Sequence, residues 1–440
     1  MNARESAFLS LQKHENSGAY SNIELAYAIE RGGLEGAEKA LYTALFYGVI
    51  ERKLTLDYYI SLLSDRTDID SNVRIILRLG LYQLLYMTKI PESAAVNESV
   101  KLARRFYARK NSENFINAVL RNFLRKRNAL RLPDEKKEPV RRLSVEYSVP
   151  EWICRLWLDA YGKEKTVRIL KTVNDKPSLT LTVNRLRTSP AALSEQLNLA
   201  GIKAELSPVS KYSVLLDGAV PISNLAPFEG QFFVQDEASA LCVAAMGVKA
   251  GDCVLDACAC PGGKSFGMAI SMNNEGSILS LDLHKNKLSL IETGAEKLGI
   301  SIIQTGVQNA SVHNPEMPVF DKILCDVPCS GLGVIAKKPD IRYKSEEDIV
   351  RLPVLQAKIL ETNSAYLKTG GTLVYSTCTI NPAENRRIVE DFLSAHPEFS
   401  LCPFTAGTIV CDGILELLPF EYHTDGFFIA KLCKRAAATV

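Results

Sequence analysis

From about residue 236 onward the sequence settles into a rhythm that few folds accommodate. Short apolar runs occur at Cys253-Val254-Leu255, Ser277-Ile278-Leu279-Ser280-Leu281, Ile302-Ile303, Lys322-Ile323-Leu324-Cys325 and Gly371-Thr372-Leu373-Val374-Tyr375. Stretches with helical spacing, at about 286–298 and 346–368, separate some of them. Strands alternating with helices predict a mostly parallel sheet covered by helices on both faces. Phe427 to Leu432 reads as a last strand, with an antiparallel hairpin arm as one option. The pattern leaves the strand order open. In such a sheet ligands bind beyond the carboxyl ends of the strands, so the residues after each apolar run are the ones to read for chemistry.

The rest of the chain has a different texture. Residues 1–130 contain a single proline, Pro91, and repeat helical spacing: Leu41, Leu45, Phe46 and Val49, then Ile75, Ile76, Leu79, Tyr82 and Leu85. Asn97–Ala103 and Phe115–Phe123 continue it, the latter with an apolar face at Ile116, Val119, Leu120 and Phe123. This predicts an all-α bundle of six or seven helices. Between 131 and 235, Pro133, Pro139 and Pro150 punctuate a basic linker, and Trp152–Tyr161 reads as a helix. Ser178–Val183 and Ser213–Leu216 read as strands, with a helix opening at Ser189-Pro190 between them. The expected organisation is a multidomain chain: a helical bundle (1–130), a small α+β connector (131–235) and an α/β domain (236–435).

Composition narrows the function classes. A 440-residue chain with 47% hydrophobic and 23% charged residues is not a largely disordered one. Arg4, Glu5, Lys13 and Glu15 leave no apolar leader core, and the run Ile75–Met87 is short and broken by Arg78. A soluble cytoplasmic protein is expected, with its eleven cysteines reduced. No cysteine pair has C-x-x-C spacing and the five histidines do not cluster, so no metal site is expected. Charge is uneven. The net is +2, yet Lys101–Arg142 holds fourteen basic and four acidic residues, leaving 38 against 46 elsewhere. A basic stretch of that length is either a solvated helix face or the footprint of an anionic partner.

Four segments fall at strand ends. Asp256-Ala257-Cys258-Ala259-Cys260-Pro261-Gly262-Gly263-Lys264-Ser265 follows a strand and opens a helix, so its backbone N–H groups can face a ligand. Its end matches the phosphate-binding G-x-x-x-x-G-K-[ST] loop, but the opening glycine is replaced by Cys258, which keeps an NTPase a distant alternative. Leu281-Asp282-Leu283 puts a carboxylate where a ribose diol is commonly held. Asp326-Val327-Pro328-Cys329-Ser330-Gly331 and Ser376-Thr377-Cys378-Thr379 deliver two cysteines to the same rim. Either cysteine alone is explained by packing; two at strand ends, one behind Asp-x-Pro, are not.

The set Asp256…Pro261-Gly262-Gly263-Lys264, Asp326-x-Pro-Cys329-Ser-Gly and Thr377-Cys378, closing on Asp425-Gly426-Phe427-Phe428, resembles the NOL1/NOP2/Sun family of RNA cytosine-5 methyltransferases. The helices, including Phe115–Asn122, resemble the NusB RNA-binding fold. The resemblance implies a Rossmann-like methyltransferase domain behind a NusB-like one, S-adenosylmethionine as cofactor, and small-subunit (16S) ribosomal RNA as partner, with a monomer expected. It implies Cys378 as the nucleophile that adds to carbon 6 of cytosine, Cys329 as the helper in proton removal and release, and Asp326 on the N3/N4 edge of the base. The cofactor's amino-acid end would lie on Cys258, Ala259, Cys260, Pro261, Gly262, Gly263 and Lys264, close to Asp326, and its ribose on Asp282. Where the family has an acidic residue near adenine, this chain reads Gln308-Asn309, whose amide oxygens are also acceptors. Arg342 is either a phosphate contact or a solvated surface residue. A tRNA target and a non-catalytic RNA-binding assembly factor are the alternatives; the paired thiols weigh against the latter.

Overall fold

The computed structural model describes residues 1–435 except 18–20, 67, 107–110, 177 and 219. Two compact units emerge, residues 1–175 with 335–344, and residues 176–334 with 345–440.

The first unit is helical: α1 (Ala3–Ser17), α2 (Ser21–Gly32), α3 (Gly36–Leu63), α4 (Ser71–Tyr86), α5 (Glu92–Phe106), α6 (Ser112–Lys126), α7 (Pro139–Tyr147) and α8 (Glu151–Thr172). Pro91 precedes α5, where its missing N–H costs nothing. The predicted α6 face, Ile116, Val119, Leu120 and Phe123, is buried. Arg78, which interrupts the apolar run of α4, is buried as well. Its guanidinium meets both carboxylate oxygens of Asp57 at 2.7 Å and also pairs with Glu15. Full pairing is what lets a charge persist inside a core. The unit runs past the expected edge at 130, because α7 and α8 pack into it: Thr55 Oγ1 donates to the Val145 carbonyl at 2.6 Å, and Leu54 N–H to Ser148 Oγ at 3.1 Å.

Segment 335–344 also belongs to this unit, and it corrects the reading of Arg342. The side chain is 0% exposed, so it is neither a solvated residue nor a phosphate ligand. One terminal nitrogen donates to the carbonyls of Glu51 (2.8 Å) and Ser148 (3.1 Å) and to Asn174 Oδ1 (3.2 Å). The other donates to the Val173 carbonyl at 3.1 Å. Sequence shows the charge but not the four acceptors, which come from α3 and from the residues after α7 and α8. Replacing it removes four buried hydrogen bonds at once. Arg342→Met is therefore expected to lower stability by roughly 3 kcal/mol, read as an earlier urea midpoint in the helical circular-dichroism signal. An unchanged midpoint would refute the assignment.

The second unit holds two main sheets. The smaller has strands β1 (Leu179–Val183), β2 (Ala204–Leu206), β3 (Ser213–Leu216) and β4 (Phe232–Val234) in the antiparallel order β2-β3-β1-β4. Helix α9 (Pro190–Leu199) closes its core through Leu193 and Leu197. Next come α10 (Glu237–Met246), β5 (Cys253–Asp256), α11 (Gly263–Ser271), β6 (Ser277–Asp282), α12 (Lys285–Leu298), β7 (Ile303–Val307) and β8 (Phe320–Asp326). They are followed by α13 (Glu346–Val350), α14 (Leu352–Ser364), β9 (Leu367–Thr377), α15 (Arg386–Ala395), β10 (Phe399–Leu401), β11 (Phe404–Ala406), β12 (Ile409–Cys411), β13 (Ile414–Leu417) and β14 (Phe427–Lys434).

The large sheet runs β10-β14-β9-β8-β5-β6-β7, with β13 also on β14. Strands β5 to β9 pair in parallel, whereas β14 is antiparallel to β9. Two apolar layers cover it. One includes Leu241, Phe266 and Ile291 from α10, α11 and α12; the other includes Ile359, Leu360 and Phe392 from α14 and α15. The chain moves outward from β5 to β7 and then returns to the other side of β5 with β8. The switch point between β5 and β8 opens the crevice where such sheets bind ligands.

The three-residue strands escaped sequence reading because pieces so short carry no measurable period, and α10 because eight of its ten residues are buried, which leaves no polar face to mark it. Cys402 and Cys433 are neighbours, with Cα atoms 5.9 Å apart. The β10–β14 edge register brings them together, a proximity no spacing reveals. No helix among the described residues is long and apolar enough to cross a membrane. No group of three or more potential metal ligands occurs among them.

Candidate functional site

Three strand ends meet at the switch point. Parallel register sets Asp326, the last residue of β8, beside Ser376 of β9. The turns beyond them carry Cys329 and Cys378, whose sulfur atoms lie 3.3 Å apart. Two cross-ties hold the turns together: Ser330 Oγ and Thr379 Oγ1 are 2.7 Å apart, and Gly333 N–H donates to the Cys378 carbonyl at 3.1 Å. Gly333 has to be glycine, because a Cβ there would sit 1.9 Å from the Gly426 carbonyl oxygen. That contact gives the Asp425-Gly426-Phe427-Phe428 segment its place beside the cysteine loop.

Asp326 is fixed at both oxygens. Lys264 Nζ meets Oδ2 at 2.7 Å and Ser376 Oγ donates to Oδ1 at 2.7 Å. The Lys264 ammonium lies 5.4 Å from the centre of the Phe427 ring. Burial works against its charge, but Asp326, with Cys242 and Cys378 adding, holds the Lys264 pKa above its ordinary value. The Cys329 thiol is pushed well above the usual range, first by its hydrogen bond to Cys378 and then by burial, with the charges of Cys378, Glu384 and Asp326 adding. Cys329 thus keeps its proton beside the Cys378 sulfur.

The β5–α11 loop lies on the other side of the crevice. Gly262, at φ +110°, turns the chain into α11, where a Cβ would meet the Phe266 ring at 2.6 Å. Asp256 is buried, with Oδ2 accepting from Ser265 Oγ at 2.6 Å and Oδ1 unpartnered. Burial pushes its carboxyl up to about 7, against the lowering effect of the Ser265 hydrogen bond. The sign follows: its stabilising contribution is present below about pH 4 and is lost as pH rises through 7. Ser265 also pairs with Ser280 at 2.8 Å. With Lys264 committed to Asp326 and Ser265 committed inward, the phosphate-loop alternative loses both groups it needs.

Asp282, ending β6, uses Oδ1 to accept the His284 N–H at 2.9 Å. Next to it, Leu283 and Val307 are 57% and 53% exposed, an apolar pair at the ends of β6 and β7. The two amides after β7 are not equivalent. Asn309 Oδ1 accepts twice from Ser311, at 3.0 and 2.8 Å, whereas Gln308 donates through Nε2 to the Val312 carbonyl at 3.0 Å. Gln308 therefore retains an uncommitted amide oxygen among the described residues.

Sequence reading gave Ser376 no role and missed Gln356, Glu384 and Asn385. The polar run Asn381…Glu384-Asn385, so close behind a strand-end cysteine, was the available signal. The basic stretch is less positive than its count. Among the described residues Arg104, Arg105, Arg127, Arg141 and Arg142 pair with Glu113, Glu5, Glu92, Glu138 and Glu146. Arg121, Arg125, Lys126, Arg131, Lys136 and Lys137 are exposed, with no carboxylate partner among the described residues. Arg109 and Lys110 lie outside the described residues.

Residues 243–433 match the family model described as 16S rRNA methyltransferase RsmB/F, residues 1–125 the NusB family, and residues 149–223 an RsmF/B-like ferredoxin-like domain. The chain is 38% identical over 444 residues to a probable ribosomal RNA small subunit methyltransferase B of Bacillus subtilis, covering 98% of both. It is 33% identical to a protein of the same name from Synechocystis, covering 99% of this chain and 100% of that one. Among solved structures, the crystal structure of PH0851 superposes with a TM-score of 0.81 at 26% identity over 98% of each chain.

Proposed function

We propose, from the premise that the chain belongs to the RsmB/F family of 16S rRNA methyltransferases, that it methylates carbon 5 of a cytosine in small-subunit ribosomal RNA through a covalent bond from Cys378 to carbon 6. The observation that carries this reading is the pair of sulfur atoms 3.3 Å apart at the switch point. Carbon 5 of cytosine is a poor nucleophile. A thiolate adding at carbon 6 makes the ring enamine-like and gives carbon 5 the electron density it lacks. Asp326, oriented by Lys264 and Ser376, is suited to receive the N3/N4 edge, a preference that uracil does not satisfy. The target base has to leave its stack to reach the thiols.

The cofactor is S-adenosylmethionine, which when bound supplies the methyl of its sulfonium as electrophile. The residues fit it. The orphaned Asp256 Oδ1 beneath the Cys258–Lys264 loop suits an ammonium group. The second oxygen of Asp282 suits a ribose diol, and the Gln308 amide oxygen suits the adenine amine, with Leu283 and Val307 offering apolar surface. Of the two amides, Gln308 is favoured over Asn309, whose oxygen is used by Ser311. The exposed cations Arg121, Arg125, Lys126, Arg131, Lys136 and Lys137 suit phosphate attraction.

Cofactor affinity should depend on pH in a stated direction. With the Asp256 carboxyl at about 7, protonation below that value removes the charge that an ammonium needs. Affinity for S-adenosylhomocysteine is expected to rise about tenfold between pH 6 and 8 and then level. Asp256→Asn should weaken binding and flatten the curve in calorimetry; an unaltered rise in that variant would refute the role. The function itself is tested by bisulfite sequencing of total RNA with and without the gene. A cytosine in 16S rRNA that loses its 5-methyl mark in the mutant is the expected result, and loss confined to tRNA would overturn the substrate.

A further inference from the structure

Both cysteine turns are anchored to one short polar turn, Asn381–Asn385, to which the chemistry above gives no role. Glu384 is 0% exposed. Its Oε2 accepts from the Ser330 N–H at 2.8 Å and from Gln356 Nε2 at 2.9 Å, and its Oε1 from Asn381 Nδ2 at 2.9 Å. Gln356 Nε2 donates in addition to the Pro328 carbonyl at 3.0 Å. Both peptide neighbours of Cys329 are therefore held through this one carboxylate. Asn385, 1% exposed, does the same for Cys378: its Oδ1 accepts from Thr377 Oγ1 at 2.6 Å and its Nδ2 donates to the Thr379 carbonyl at 2.9 Å. The Tyr375 hydroxyl fixes the turn itself, donating to the Glu384 carbonyl at 2.6 Å. A carboxylate taken wholly out of water is costly, and apolar packing would fill the same volume at less cost.

We propose that Glu384 and Asn385 are positioning residues that set the separation of the two thiols, Glu384 by bracketing Cys329 through Pro328 and Ser330, Asn385 by bracketing Cys378 through Thr377 and Thr379. The inference rests on the reading of Cys378 and Cys329 as the reacting pair. The same carboxylate adds to the influences that keep the proton on Cys329. A glutamine cannot replace it: one arm of its amide is a donor facing donors, and the Asn381 oxygen is already taken by the Ala383 N–H at 3.2 Å.

The test uses the full chain and phenylarsine oxide, a probe that bridges two thiols only when they lie side by side. Rapid capture at Cys329 and Cys378, located by peptide mapping, is expected in the wild type and none at that pair in Cys329→Ala. In Glu384→Gln, capture should slow at least tenfold and kcat should fall at least tenfold. The KM for RNA and the affinity for S-adenosylhomocysteine should stay within twofold. Unchanged capture overturns the proposal, whatever happens to turnover. Slowed capture with full turnover upholds the positioning role and instead removes the thiol pair from the reaction. Should Glu384→Gln fail to fold, Gln356→Met, which keeps volume and removes two of the ties, should slow capture by a smaller factor; no slowing there overturns the proposal equally.

Discussion

Cys378→Ala is expected to abolish methyl transfer to 16S rRNA, with turnover down by about 10^4-fold or more, because the barrier removed by covalent activation of the ring returns in full. Cofactor binding should be close to normal. The groups suited to the cofactor lie on the β5–α11 loop and at the ends of β6 and β7, and the sulfur of Cys378 is not among them. Cys378→Ser separates shape from nucleophilicity. Its hydroxyl occupies nearly the same space but is not ionised near neutral pH, so it should be as inactive as alanine. The measurement is incorporation of radiolabelled methyl into RNA alongside calorimetry with S-adenosylhomocysteine. Turnover above a hundredth of wild type in either variant would remove the nucleophile from this position.

Cys329→Ala should fail at a later step. In the resting site the Cys329 thiol is held protonated chiefly by its hydrogen bond to Cys378 and by burial, with the Cys378 charge adding. On the proposed reading Cys378 becomes a thioether, which removes that hydrogen bond and that charge together. The Cys329 proton can then pass to solvent water, leaving a thiolate that serves, directly or through water, as the base that takes the proton from carbon 5. Without it the methylated adduct has no nearby base and elimination stalls. A protein–RNA adduct is expected to persist on a denaturing gel, dependent on cofactor and absent from the Cys329→Ala, Cys378→Ala double variant. Normal turnover with no adduct would refute the role. Both variants leave the hydrogen bonds from Ser330 and Thr379 in place, so the loops should keep their shape.

What was legible in the sequence follows from where information is local. The β-run and helix alternation after 236 and the apolar face at Ile116, Val119, Leu120 and Phe123 are periodic patterns, and periodicity alone decides which face is buried. The glycine loop, Asp282 and the two cysteines were legible because a strand end is a place in sequence as well as in space. Arg342 was not. Its burial depends on acceptors from three other parts of the helical unit, and a lone arginine carries no sign of them. Glu384 and Asn385 were overlooked for a related reason: a polar residue reads as surface until the fold supplies partners for every one of its atoms.

The sequence by itself determined most of the longer elements, the layer type and the residue kinds presented at each strand end, since those depend on spacing of 2.0 or 3.6 residues and on turn chemistry within a few positions. Only tertiary structure decided the order β9-β8-β5-β6-β7, and with it the meeting of residue 329 with residue 378 at 3.3 Å. Strand order is chosen by how whole helices pack over the sheet, an energy shared among many distant side chains. The distance between two sulfur atoms 49 positions apart is a product of that choice.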